Sequence, residues 1–153
     1  MGGATFVCGS FEGNDKSASP IVSVMEEAFV QAFGRKPRGR LARWLAARLG
    51  RASTGEVALA EEAILHVRFN EEGEIPPAIA ARFMPFFERY QARLLGELNI
   101  PDDVDSIWPF VTPTSKAKYG FVRDAGWHLY CLHDLIPACR ISMDEQLPIQ
   151  VLW

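Results

Sequence analysis

Apolar residues recur at helical spacing between residues 19 and 33. Ser19-Pro20 precedes this run, and a serine N-cap followed by proline at the first helical position is typical of a helix start. Gly34 suits the position just after a helix end. The pattern therefore predicts a helix, whose apolar positions are Ile21, Val22, Met25, Ala28, Phe29, Ala32 and Phe33.

A second amphipathic helix of about three turns is predicted after the turn RKPRG. Its apolar stripe consists of Leu41, Trp44, Leu45 and Leu49, with the small Ala42 and Ala46. Most arginines of this segment lie off the stripe. We expect the stripe to close the interior, with Trp44 as its anchor, and the arginines to lie on the wet face.

The next segment allows two interpretations. Ser53 and Glu56 have the spacing of a capping box, which predicts a third helix over residues 54–62. Residues 63–69, AILHVRF, then alternate between apolar and polar positions. We favour a strand over 63–69, although a helix continued to Phe69 fits the pattern nearly as well.

The longest helix is predicted to begin at Pro76-Pro77, after the turn NEEGEI, and to extend to Leu98. Pro85 lies inside this pattern. A proline there removes one backbone hydrogen bond and crowds the preceding turn, so we expect a kink or a break near Met84.

Strands are predicted at both ends of the chain. The β-branched and aromatic run TFVC, 5–8, stops at Gly9, and PIQVLW, 148–153, predicts a final strand. The run WHLYCLH, 127–133, is rich in β-formers and follows YGFVR across a short turn, so a hairpin is favoured there over a helix that starts at Asp124. A short helix DLIPACRI, capped by Asp134, would follow it.

The resulting fold class is α+β, a small mostly antiparallel sheet with amphipathic helices packed on one face. A chain of 153 residues with 48% hydrophobic and 23% charged residues fits a single domain over 1–153. No run of eighteen apolar residues and no secretion signal are apparent, and three scattered cysteines suit a reducing compartment. We therefore expect a cytoplasmic protein with free thiols and no membrane association.

Charge is unevenly distributed along the chain. The net charge is −3, yet residues 28–55 carry seven cations and no carboxylate, whereas the 56–115 block is strongly acidic. The two blocks either neutralise each other within the fold or form separate patches that attract charged partners. Internal neutralisation of the basic stretch is the favoured interpretation.

The basic stretch supplies candidate binding residues, Arg38, Arg40, Arg43 and Arg48. Strong nucleic-acid binding needs roughly six to ten phosphate contacts, which residues 35–51 approach. The chain is acidic overall, however, and shows no nucleic-acid-binding motif. Nucleic-acid binding is therefore a weak alternative.

One cluster could support a metal or a nucleophile. His128, Cys131, His133 and Asp134 fall within eight residues. On a strand, Cys131 and His133 would share a face, whereas on a helix His128 would neighbour Cys131. Zinc ligation and a Cys–His nucleophilic pair are both conceivable, but neither paired-cysteine spacing nor an orienting group is visible. These four residues are the catalytic candidates of an alternative hypothesis, a hydrolase-like or zinc-dependent enzyme.

Acidic and aromatic residues combine in the connection after residue 99. Asp102, Asp103, Asp105, Trp108 and Phe110 together predict a docking face for a basic partner, since aromatic anchors ringed by charge are typical of binding hot spots. The carboxylate spacing does not match a calcium loop, and the glycine spacing of GSFEGNDKS does not match a phosphate-binding loop. We accordingly expect no metal and no cofactor.

These observations favour a small protein-binding module, such as an inhibitor or immunity-type partner that acts through charged surface patches. The expected partner is a protein, and the acidic connection suits a basic one. The pattern leaves the oligomeric state open.

Overall fold

The computed structural model describes residues 3–14, 18–100 and 123–153, and of residues 123 and 124 it describes the backbone. Nine elements follow one another along these residues. They are β1 (Thr5–Cys8), β2 (Phe11–Glu12), α1 (Ala18–Phe33), α2 (Arg40–Arg48), α3 (Gly55–Arg68), β3 (Gly73–Ile75), α4 (Pro77–Glu97), α5 (Arg123–Glu145) and β4 (Ile149–Leu152). The fold is α+β, as the sequence predicted.

The strands form one antiparallel sheet in the order β2-β1-β4-β3. Residues of β1 and β4 alternate between buried and partly exposed positions, because successive side chains of a strand point to opposite faces. Phe6 pairs with Val151, and Ile75 of β3 pairs with Ile149, so the buried side chains of three strands share one face. Helices α3 and α5 contact the sheet.

The core lies among α1, α3, α4 and α5, and the most extensive contact is between α4 and α5. Phe29 of α1 and Phe83 and Phe87 of α4 are among its largest buried side chains. The Phe83 and Phe87 rings meet edge to face at 5.9 Å, an arrangement that aromatic pairs prefer. The residues that the structure describes contain no helix long and apolar enough to cross a membrane.

Several sequence predictions are confirmed. Strand β1 has the predicted bounds, and β4 lies within the predicted final strand. Helix α1 begins one residue before Ser19 and is followed by Gly34, whose φ of +69° is the left-handed conformation that glycine adopts readily at a helix end. Cys8, Cys131 and Cys139 are free thiols.

The strand predicted at 63–69 is wrong, because α3 continues through this segment to Arg68. Its alternation arose from a helix that is buried on more than one side, including Ala63, Ile64, Leu65 and Val67. The capping box is also wrong. The residue before α3 is Thr54 without a side-chain cap, and the Ser53 hydroxyl instead accepts a hydrogen bond from Arg35 at 3.0 Å.

The hairpin predicted around 127–133 is wrong as well. Residues 123–145 form one helix, α5, which continues through Pro137. The segment predicted to be a separate short helix from Asp134 is part of α5. Helix α4 continues through Pro85, so of the kink or break predicted near Met84 the break does not occur. Residues 73–75 of the predicted turn NEEGEI form β3, the edge strand that pairs with β4.

Candidate functional site

Helix α2 lies on the body of the protein with its apolar stripe turned outward. Within the helix only Ala46 is buried, and Arg43, three residues earlier on the same side, is partly buried. The expected anchor Trp44 is 52% exposed, and Leu41, Leu45 and Leu49 are 70%, 45% and 69% exposed. The prediction that this stripe closes the interior is therefore wrong.

A buried carboxylate explains this orientation. Glu61 of α3 is fully buried, and its Oε1 atom forms an ion pair with the Arg35 guanidinium and accepts a hydrogen bond from the Arg38 backbone N–H, both at 3.0 Å. Its Oε2 atom lies 3.9 Å from Nε of Arg43 and has no hydrogen-bond partner among the described residues. An unpaired buried charge is costly, so cations must face Glu61. The side of α2 that carries Arg43 consequently turns inward.

A second set of contacts holds the start of α2. The Arg40 guanidinium binds the carboxylate of Glu71 and lies over the Phe69 ring at 4.1 Å. The hydrogen bond from Arg40 lowers the pKa of Glu71 below its usual value, with weaker contributions from the Arg40 charge and from His66. The Trp153 indole donates to the backbone carbonyl of Glu71 at 2.9 Å, so this segment is tied to the end of β4.

A shallow pocket of about 220 Å³ lies between α2 and α3. Its lining residues are Arg40, Arg43, Glu62, Leu65, His66 and Glu71. The His66 ring lies between two carboxylates, with Nε2 3.7 Å from Glu62 and Nδ1 3.6 Å from Glu71. Gly73 packs on this ring so closely that a Cβ atom there would lie 2.5 Å from Cγ of His66. The pocket is thus a compensated charge network beneath the helix.

The outward face of α2 combines apolar and cationic groups. We define the α2 outer face as Leu41, Trp44, Leu45, Arg48 and Leu49. Leu41, Trp44 and Leu45 stand at i, i+3 and i+4, so they form one surface, and the Arg48 guanidinium stacks on the Trp44 ring at 4.6 Å. An apolar surface of this kind marks an interaction site more often than an ordinary wet face.

Carboxylates of the described residues neutralise only part of the basic stretch. Arg35, Arg40 and Arg43 form ion pairs with Glu61, Glu62 or Glu71 of the acidic block. Four cations form no ion pair with any described residue, namely Lys36, Arg38, Arg48 and Arg51. The Arg38 guanidinium instead donates to the backbone carbonyl of Arg51 at 2.7 Å. Among the described residues, these four cations leave a net positive charge on the segment that contains α2.

The four catalytic candidates lie on helix α5 and are not part of the α2 outer face. Because α5 is a helix, Cys131 and His133 point about 160° apart around its axis, and the shared strand face on which a zinc pair depended does not exist. Cys131 is fully buried, and Asp134 is nearly so. Their catalytic role stays a prediction.

Polar side chains of this cluster form hydrogen bonds to other parts of the fold. The Tyr90 hydroxyl and Nδ1 of His128 form a hydrogen bond at 2.6 Å, and burial raises the pKa of Tyr90. Oδ2 of Asp134 accepts a hydrogen bond from the backbone N–H of Asn14 at 2.7 Å. Gly13 allows this approach, since a Cβ atom there would lie 2.6 Å from the same oxygen. Asp134 thus joins α5 to the loop after β2.

No group of three or more His, Cys, Asp or Glu side chains within 3–14, 18–100 and 123–153 is arranged to hold a metal ion. The acidic docking face predicted from Asp102, Asp103, Asp105, Trp108 and Phe110 lies outside the described residues. Glu61, His66 and Glu71 were not among the predicted site residues. The acidic 56–115 block did predict that carboxylates of this block would neutralise the basic stretch. It did not show which carboxylates would pair with which arginines.

Comparison of the chain with protein-family models, with curated proteins and with solved structures finds no match.

Proposed function

We propose that this protein is a protein-binding module and that its partner packs on the α2 outer face. The observation that carries the proposal is the inverted orientation of α2, which leaves Leu41, Trp44, Leu45 and Leu49 exposed on one surface. Burial of a large apolar side chain contributes about 1.5–3 kcal/mol. The four side chains of this face are between 45% and 70% exposed, so a partner that covers them gains part of this free energy from each.

The arrangement fits a known mode of protein recognition. An amphipathic helix can place anchors at i, i+3, i+4 and i+7 or i+8 into an apolar groove of its partner. Trp and Arg are enriched among residues that dominate binding energies, and here Trp44 and Arg48 form a stacked pair within the face. An inhibitor or immunity-type role is the narrower form of this proposal.

Two alternatives receive less support. Nucleic-acid binding through residues 35–51 would rely on the four cations that form no ion pair with a described residue, fewer than the roughly six to ten phosphate contacts of a strong complex. An enzyme built on the His128, Cys131, His133 and Asp134 cluster would need a nucleophile that meets its substrate, whereas Cys131 is buried.

The test compares two exposed leucines. Leu45 on α2 and Leu59 on α3 are 45% and 43% exposed, so replacement of either by serine removes little packing. Affinity-tagged wild type, Leu45→Ser and Leu59→Ser are incubated with a lysate of the source cells, and bound proteins are quantified by mass spectrometry. We expect Leu45→Ser to lose a protein that Leu59→Ser retains. Equal capture by all three would overturn the proposed function.

A further inference from the structure

We infer that the surface that meets the α2 outer face is an acidic one, an apolar groove of a protein flanked by carboxylates. This inference rests on the proposed function and adds the chemistry of the partner. It differs from the basic partner expected from the acidic connection, because it concerns the α2 outer face and not the residues of that connection.

The first argument is the charge left around the face. Lys36, Arg38, Arg48 and Arg51 form no ion pair with the described residues, and no carboxylate occurs anywhere in residues 28–55. The carboxylates nearest to α2 lie beneath it and are occupied by Arg35, Arg40 and Arg43. A partner that covered this face without bringing its own anions would leave cations in a desolvated rim, which is unfavourable.

The second argument is the position of Arg48. Its guanidinium stacks on Trp44 between exposed leucines, so it lies within the apolar surface rather than at a distance from it. A guanidinium held flat on an aromatic ring still has its in-plane donors available for a carboxylate. A carboxylate of the partner could therefore bind Arg48 at the same time as the partner's groove takes up Trp44.

Charge also decides against two other occupants. In a twofold pair of α2 faces, each copy would bring its own Arg48 and Arg51 to the same interface, and like charges there repel. An anionic membrane would attract the four cations, but it would also meet a protein whose net charge is −3. A groove on a protein can match the patch without approaching the acidic remainder, so it fits these charges better.

The experiment places an amine at residue 48 and asks what lies beside it. Arg48→Lys keeps the positive charge and provides a primary amine. A carbodiimide activates a carboxylate, attack by the amine forms an amide, and the carbodiimide leaves as its urea, so one water is lost overall. Arg89→Lys is the matched control, because Arg89 of α4 is exposed and forms no ion pair with a described residue.

The partner is the protein that wild type captures and Leu45→Ser does not. We expect the carbodiimide to link residue 48 of Arg48→Lys to an Asp or Glu of this partner. No such link should form at residue 89 of Arg89→Lys. Arg48→Glu should weaken that complex by at least about tenfold, with a smaller salt dependence, whereas Arg89→Glu should leave it nearly unchanged.

The failures of the two proposals can be told apart. If Leu45→Ser abolishes capture but Arg48→Glu binds as tightly as wild type and no link forms at residue 48, the proposed function stands and the acidic partner is overturned. If Leu45→Ser changes nothing, the proposed function fails and this inference fails with it. Binding of wild type but not Arg48→Glu to vesicles of phosphatidylcholine and phosphatidylglycerol, without any captured protein, would replace the protein partner by an anionic membrane.

Discussion

The guanidinium of Arg35 lies 3.0 Å from the carboxylate of Glu61, which is completely buried beneath helix α2. The same carboxylate accepts the backbone N–H of Arg38 and faces Arg43. One acidic side chain of α3 therefore holds both the segment before α2 and the inner side of the helix. It decides which side of α2 is available to a partner.

Replacement of Glu61 by glutamine should loosen this attachment. The change removes the charge that compensates Arg35 and Arg43, and we expect it to lower the free energy of unfolding by about 1–3 kcal/mol. Amides of residues 40–48 should also exchange faster with deuterium. Glu62→Gln is the control, since Glu62 is 56% exposed and its pair with Arg43 is long, at 4.0 Å. A loss as large for Glu62→Gln, or none for Glu61→Gln, would contradict this account of α2.

The leucines of the outer face should contribute little to stability. Leu45→Ala alters a side chain that is 45% exposed, so we expect a change of about 1 kcal/mol or less in denaturant unfolding. The same substitution at Leu129, which is fully buried in α5, should cost about 2–5 kcal/mol. Strong destabilisation by Leu45→Ala would mean that the α2 outer face is covered within the protein itself.

The buried thiol of Cys139 should make the protein less stable in alkali. Burial, with a smaller contribution from Cys8, raises the pKa of Cys139 from 9.0 to about 12. Between these values the unfolded chain has lost this proton while the folded chain keeps it. Stability that is fully present below pH 9 is therefore lost as pH rises towards 12.

Cys139→Ala tests this sign. Its unfolding free energy should fall less steeply than that of wild type above pH 9, by up to about 1.4 kcal/mol per pH unit, and the two curves should run parallel below pH 9. Parallel curves over the whole range would show that the thiol of Cys139 ionises equally in both states.

The enzyme hypothesis can be examined through thiol reactivity. Cys8, Cys131 and Cys139 are all buried, so iodoacetamide in native buffer should add no carbamidomethyl group within the time that denatured protein takes to acquire three. Intact mass spectrometry gives both counts. Rapid modification of the native protein at Cys131 alone would indicate an accessible, activated thiol. It would favour the enzyme hypothesis over the proposed binding function.

Sequence periodicity predicted α1, β1, β4 and the existence of α2, but it could not predict the direction in which α2 faces. An amphipathic pattern shows that a helix has two different sides and does not reveal what each side meets. Here the inner side is set by Glu61, which belongs to another helix and which ordinary patterning assigns to solvent.

The failure at α5 has a different cause. Leu129, Tyr130, Cys131 and Leu132 are consecutive and all buried, because this helix is enclosed on most of its sides. A helix enclosed in this way loses the 3.6-residue periodicity that marks a surface helix. The β-forming residue types of 127–133 then became the stronger local signal, and tertiary packing overrode it.

The central place of β4 constrains how the molecule assembles during synthesis. Residues 149–152 follow every other described element, yet they join β1 to β3, which has no other strand partner. Until the ribosome has released this segment, the nascent chain can form the β1-β2 hairpin and individual helices but not the completed sheet. Truncation just before Ile149 should accordingly yield an aggregation-prone species with an open edge on β1, rather than a slightly shortened native protein.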